Sequence, residues 1–219
     1  MEKKVIIGID ISKSWLDAHV LLMGSQEGHA LRIHNTVAGF TKLIKFIKKQ
    51  TEVPGDDWLF CMEHTGVYSY GLNSFLQERS IAQTMVNALA IKRSMGIIRG
   101  KNDKADARVI AQYAVRFQDS LPEFHLPTES LQKLKIQLAQ RERMVDMKRQ
   151  TDLAMESMEA LPQDLTKEAR LQNRKLLRQL QANIEQMDVI IRNTIKSDIE
   201  LKEQARLIES VPGVGPQTS

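Results

Sequence analysis

The sequence predicts an α/β domain built on one mixed sheet, followed by a long helical hairpin. Three observations carry that prediction. Up to Pro127, short apolar runs alternate with amphipathic stretches. Three strand-like runs precede the first helical stretch, and strands and helices alternate after it, the pattern of a sheet with both parallel and antiparallel neighbours. Beyond Pro127 the strand signal vanishes, and apolar residues recur three and four apart.

Residues 5–9 are an apolar, β-branched run and open the sheet. Residues 16–23 and 30–34 follow as strands, with Gly24, Ser25 and Gly28 as turn residues between them. Residues 40–49 place Phe40, Leu43, Ile44 and Ile47 at helical spacing, and Val53-Pro54-Gly55 breaks the pattern. Residues 58–62 form a fourth strand, 68–78 a helix, 81–86 a fifth strand and 104–117 a helix.

Thr128 is placed to cap a helix running to about residue 160. Met144, Met147, Thr151, Ala154, Met158 and Leu161 make a polar, methionine-rich a/d seam along it. Residues 161–164, Leu-Pro-Gln-Asp, interrupt that helix. A second runs to about residue 207, with Leu177, Leu180, Ile184, Met187 and Ile191 in the same spacing. The two helices read either as an antiparallel hairpin or as a dimerising coiled coil. The last residues turn through Pro212-Gly213-Val214-Gly215, which resembles a phosphate-gripping helix-hairpin-helix turn and reads equally well as a helix C-cap. The expected division is 1–126 for the α/β domain, 127–207 for the coiled coil and 208–219 for the start of a further domain. Because the chain stops where a new helix should begin, a longer parent protein is expected.

Composition narrows the function classes. At 219 residues and 42% hydrophobic, the chain has enough apolar content for a core, which argues against disorder. The net charge of +4 suits a polyanionic partner. With Cys61 as the sole cysteine, no intramolecular disulfide forms, and a reducing compartment fits. The N-terminal apolar run meets Asp10 too early for a signal peptide, and no run approaches the roughly 18 residues of a membrane span. A soluble, cytoplasmic protein with no membrane partner is expected.

Four acidic residues stand out. Asp10 lies in the apolar strand VIIGIDIS, where desolvation makes an unpartnered carboxylate costly. A strand-end cap is the ordinary alternative for it. The Gly-Ile-Asp-x-Ser string also occurs at phosphate turns of actin-like kinases, but no second glycine-rich phosphate loop is present. Glu63 ends the run WLFCME and shares a strand face with Cys61, with Gly66 suggesting a tight turn just beyond. Asp103 and Asp106 are three apart at a helix start, so they share a helix face. The helix dipole alone would also favour acids there. Converging carboxylates call for a bound cation, and all-oxygen ligation suits magnesium or manganese. Cys61 reads as a small core residue, and His64 as a hydrogen-bonding or surface histidine without a second histidine at ligand spacing.

Around the acidic pair, Lys92, Arg93, Arg99, Lys101, Lys104, Arg108 and Arg116 give seven basic residues against two acidic ones between Met85 and Phe117. A basic rim around a carboxylate cluster suits phosphate-backbone cleavage, because the rim attracts the polyanion and the carboxylates hold metal. Lys92, Arg93, Arg99, Lys101, Lys104 and Arg108 are therefore the candidate nucleic-acid contacts.

The strings GIDISKSWLDAHVL, MEHTGVY, NALAIKRSMGIIRGKNDKADARVIAQYA and LIESVPGVGPQTS resemble, in family order, the DEDD transposases of bacterial insertion sequences of the "IS one-ten" type, which include the Piv DNA invertases. The resemblance implies a RuvC-like domain of RNase H-like fold, a coiled-coil insert and a C-terminal transposase domain. It implies Asp10, Glu63, Asp103 and Asp106 as the magnesium ligands. It further implies DNA and a structured bridge RNA as partners, and a serine nucleophile in the C-terminal domain that joins DNA ends covalently. Neither Ser210 nor Ser219 matches that nucleophile's motif, so this chain is expected to lack full recombination chemistry. Two other readings fit the same residues. One is a self-sufficient RuvC-type nuclease, and the other a non-catalytic nucleic-acid-binding or dimerisation module.

Overall fold

The structure is a computed structural model that describes residues 3–25, 27–64, 66–95 and 103–212, apart from the side chains at 95 and 103–105. The chain divides into two compact units, Met1–Leu126 and Pro127–Ser219.

In the first unit, five strands form one sheet among the described residues: β1 (Val5–Ile11), β2 (Trp15–Leu22), β3 (Gly28–His34), β4 (Trp58–Glu63) and β5 (Ala82–Val86). Their order across the sheet is β3-β2-β1-β4-β5. The short connections from β1 to β2 and from β2 to β3 make antiparallel pairs, while β4 and β5 join β1 in parallel. Parallel neighbours need a crossover, and helices supply it. This mixed sheet, with helices on both faces, is the arrangement of RNase H-like domains.

Alternation along the strands creates two cores. On one face Val5, Ile7 and Ile9 of β1 and Trp58, Phe60 and Met62 of β4 pack under α1 (Val37–Gln50) and α2 (Tyr70–Gln77), which contribute Phe40, Leu43, Ile47, Leu72, Phe75 and Leu76. On the other face Ile6, Leu59 and Cys61 meet Ile91 of α3 (Ala88–Met95) and Ile110 and Ala114 of α4 (Asp103–Phe117). Full burial of each large aliphatic side chain contributes about 1.5–3 kcal/mol. The helix predicted from residue 40 starts at Val37, because the Thr36 hydroxyl accepts the Gly39 amide at 3.3 Å. α3 carries no apolar stripe long enough to betray it in sequence. Its start is set locally, with the Asn87 side chain accepting the Leu89 amide at 2.8 Å.

The second unit contains α5 (Glu129–Ser157), α6 (Gln163–Ser197) and α7 (Ile199–Glu209). Thr128 caps α5 through the Leu131 amide, as its sequence position predicts. α5 and α6 form an antiparallel hairpin. Met144 is buried with Leu180 and Ile184, and Arg141, one turn earlier on α5, pairs with Asp188, one turn later on α6.

Two expectations are corrected here. Of the predicted α5 seam, Met144 is buried against α6, but Met147 and Leu161 are exposed; one turn before Met144, Arg141 faces α6 and pairs with Asp188, so a charged residue occupies a seam position. The second helix does not continue to residue 207. Asp198 is extended, with φ −118° and ψ 122°, and its carboxylate caps α7 by accepting the Leu201 amide at 3.0 Å. The Leu201 amide first, and then the Ser130 hydroxyl, hold the Asp198 carboxyl below its usual range. No helix among the described residues is long and apolar enough to cross a membrane.

Candidate functional site

The predicted acidic residues are positioned by strand register. β1 and β4 are parallel neighbours, with Ile9 beside Met62, so Asp10 and Glu63 come next in line. Side-chain parity sets their face. Ile7 and Ile9 point into the α1–α2 core, whereas Ile6 points to the α4 side, and Asp10 shares the parity of Ile6. On β4, Phe60 and Met62 point to α1–α2, and Leu59 and Cys61 to α4, so Glu63 also faces the α4 side. Both carboxylates are half-buried at the C-terminal ends of their strands. That end of an open α/β sheet is where loops diverge and leave a crevice. Gly66, with φ +66°, lets the chain turn away directly after β4, in a backbone region that other residues rarely adopt.

A second glycine sets the helix. A Cβ at Gly8 would fall against the backbone of Ala107 and Ala111, 2.8 Å from the Ala111 Cα. α4 therefore lies directly on β1, closer than any side chain would permit. Ala107 and Ala111 sit at Gly8, while Ile110 and Ala114 reach Ile6 and Leu59, so α4 runs antiparallel to β1. Its N-terminal turn, which starts at Asp103, is thereby carried to the Asp10–Glu63 end of the sheet. Asp106 is exposed on that turn. The side chains of Asp103 and Lys104 lie outside the described residues, as do Arg99 and Lys101. Among the described residues, no group of three or more His, Cys, Asp or Glu side chains is close enough together to hold a metal ion. The remaining basic candidates, Lys92 and Arg93 on α3 and Arg108 on α4, are exposed.

The register also reveals two residues that sequence reading missed. Asp17 of β2 pairs directly with Asp10, and Arg32 of β3 pairs with Asp17. Residues opposite one another share a face, so Arg32, Asp17, Asp10 and Glu63 form one polar row across four strands. Asp17 is only 6% exposed. Arg32 grips it through Nε, at 2.9 Å from Oδ1, and through Nη2, at 2.6 Å from Oδ2. Two adjacent carboxylates on a half-buried face repel, and the bidentate guanidinium offsets the charge of one of them. The available signal was parity: Asp17 and His19 alternate with the buried Leu16, Ala18 and Val20.

One step further from the row, burial lowers the pKa of His19, with Arg108 and His29 adding to the effect, so it is neutral at physiological pH. Cys61 is a core residue whose thiol burial pushes up to about 12, so it is no nucleophile. His64 is exposed and lies edge-on to Phe124, with ring centres 6.5 Å apart.

Against known proteins, the profile of a transposase family, the DEDD type of IS110 elements, matches residues 7–163. The pilin gene-inverting protein of Moraxella bovis is 29% identical to this chain over 218 residues. That alignment covers 98% of this chain and 64% of the Moraxella protein, so the chain spans less than two thirds of that relative's length.

Proposed function

From the premise that this chain belongs to the DEDD transposase family of IS110 elements, we propose that it carries the metal-dependent carboxylate site of a DNA transposase or recombinase. The observation that supports this reading most is the shared row of Asp10 and Glu63, with the first turn of α4 brought to the same end of the sheet by the close contact at Gly8.

The donor chemistry fits a hard divalent cation. Both strand residues offer carboxylate oxygens only, and half-burial favours their neutralisation by a cation over water alone. Asp10, Glu63, Asp103 and Asp106 would hold magnesium, or manganese in its place. When bound, such ions polarise a phosphodiester and stabilise its attacking and leaving oxygens. The chain's own residues do the rest. Arg32 pairs with Asp17, the carboxylate opposite Asp10, and offsets its charge. Arg108 on α4 and Lys92 and Arg93 on α3 offer exposed positive charge, suited to backbone phosphates.

Calorimetric titration with magnesium tests the assignment. Wild-type protein should bind, and Asp10→Asn and Glu63→Gln should each weaken binding at least tenfold, about 1.4 kcal/mol. Unchanged binding in both variants would remove the site. A nicking assay with magnesium addresses the chemistry. Cleavage by the chain alone would instead identify a self-sufficient nuclease.

The finer reading follows from the family. A structured bridge RNA would pair with donor and target DNA, and a serine in a C-terminal transposase domain would join the ends. Co-purification of a discrete RNA encoded beside the reading frame is the expected outcome. Dimerisation through the helical unit belongs to the same proposal, supported by exposed apolar side chains outside the α5–α6 seam, such as Ile136, Leu153, Leu165 and Leu171. Light scattering should report a dimer for the full chain and a monomer for a chain ending at Leu126.

A further inference from the structure

We propose that Trp15, stacked on His34, is a platform for an unpaired nucleobase next to the scissile phosphodiester; this deepens the functional reading above and rests on it.

Trp15 and His34 are opposite one another on β2 and β3, with ring centres 3.9 Å apart and planes 27° from parallel. Parity puts them on the face of Asp17 and Arg32, one rung beyond that pair. Two residues of strand advance about 7 Å, close to the spacing between successive nucleotides. A base held there leaves its neighbouring phosphate within reach of the Asp10–Glu63 row.

Trp15 is 41% exposed. Large aromatics carry much apolar surface, and exposure forgoes the benefit of burying it. The contrast within the chain is sharp, because Trp58 is 1% exposed and donates its indole N–H to the Val53 carbonyl. The backbone that carries the exposed ring is nonetheless tied down. The Ser12 hydroxyl accepts the Trp15 amide at 3.1 Å and donates to the Trp15 carbonyl at 2.9 Å. The Asn35 amide group then donates to the Ser12 carbonyl at 3.1 Å and to the Tyr68 carbonyl at 2.9 Å, tying the β1–β2 turn to the segment after β4. Tyr68 is 44% exposed on that segment. Open aromatic surface on a fixed strand backbone, on the face of the carboxylate row, is the kind of surface on which single-stranded nucleic acid stacks. Stacking supplies sequence-tolerant affinity, and cations meet the phosphates. A hairpin-stabilising pair alone would serve equally well if buried.

The test uses the full chain, a short single-stranded DNA oligonucleotide and the same backbone carrying abasic sites, in chelator so that no cleavage occurs. The intact oligonucleotide should quench the exposed Trp15 fluorescence, and the abasic one should bind without quenching. Trp15→Ala should weaken binding of intact DNA about five- to a hundredfold while leaving abasic binding at wild-type strength. Trp15→Phe should restore most of the loss, and it keeps the test open if Trp15→Ala fails to fold. Binding without quenching, or Trp15→Phe and Trp15→Ala both binding intact DNA like wild type, overturns the platform and leaves the carboxylate site standing. Wild-type protein that binds neither oligonucleotide refutes the nucleic-acid reading and the platform with it.

Discussion

At the scale of single residues, the polar row is a problem in charge placement. Asp10 and Asp17 are cross-strand partners on one face, and Arg32 is the cation that the structure places against the more buried of them. Arg32→Met would leave the Asp17 carboxylate without its bidentate partner. The expected cost is about 1–3 kcal/mol in urea unfolding, since a charge-assisted hydrogen bond is lost and a largely buried carboxylate is left behind. Asp17→Asn should cost less, and the double variant less than the two single costs added together. Strict additivity in that cycle would mean that the pair is not coupled. His19 makes a second prediction. Its folded pKa lies below 6.5, so the unfolded chain takes up the proton first as pH falls. The contribution of neutral His19 is complete above about pH 6.5 and drains away below it. The urea midpoint should therefore fall between about pH 7.5 and about pH 5.5 more steeply in wild type than in His19→Gln. Parallel curves for the two proteins would remove His19 as the cause.

At the scale of elements, the site depends on how closely α4 rides on β1. Gly8, Ala107 and Ala111 are small residues that let a helix backbone approach a strand backbone, and that approach aims the N-terminal turn at Asp10. In Gly8→Ala the added methyl meets backbone atoms that cannot rotate away, so the helix must shift. Overpacking of this kind costs about 1–3 kcal/mol. Metal affinity should fall further than stability alone explains, because the shift separates carboxylates that stand on different elements. Calorimetry on folded Gly8→Ala, alongside its unfolding curve, checks this; normal affinity in a destabilised protein would mean that α4 does not set the site. In the second unit, Met144 packs against Leu180 and Ile184, and Arg141 pairs with Asp188 across the hairpin.

At the scale of the whole molecule, the mild global excess of +4 says little, but its distribution says more. Lys92 and Arg93 stand exposed on α3, and Arg108 on α4. If all three meet phosphates, replacing them with glutamine should flatten the log–log salt dependence of nucleic-acid binding by roughly two to three units. An unchanged slope would move the nucleic-acid surface to the helical unit, whose α5 and α6 carry further Lys and Arg.

Much of this architecture was legible in the chain itself. The strand runs, the helical spacing of Phe40, Leu43 and Ile47, and the cap at Thr128 are local signals, carried by side-chain parity and capping chemistry within a few residues. The same parity singled out Asp10 and Glu63 as acids ending apolar strands. Local signals failed where competing elements decided. Asp198 interrupts a helix that its neighbours would have continued, and Met147 is exposed where Met144, one turn earlier, packs against Leu180 and Ile184. What the sequence determined by itself is which segments become strands and helices and which faces they bury, because those depend on neighbours in the chain. That Asp17 lies beside Asp10, that Arg32 closes over it, that Trp15 stands one rung beyond, and that α4 runs antiparallel to β1 were decided only by the tertiary structure. Register and helix direction are fixed by contacts between residues far apart in the chain, and no local pattern encodes them.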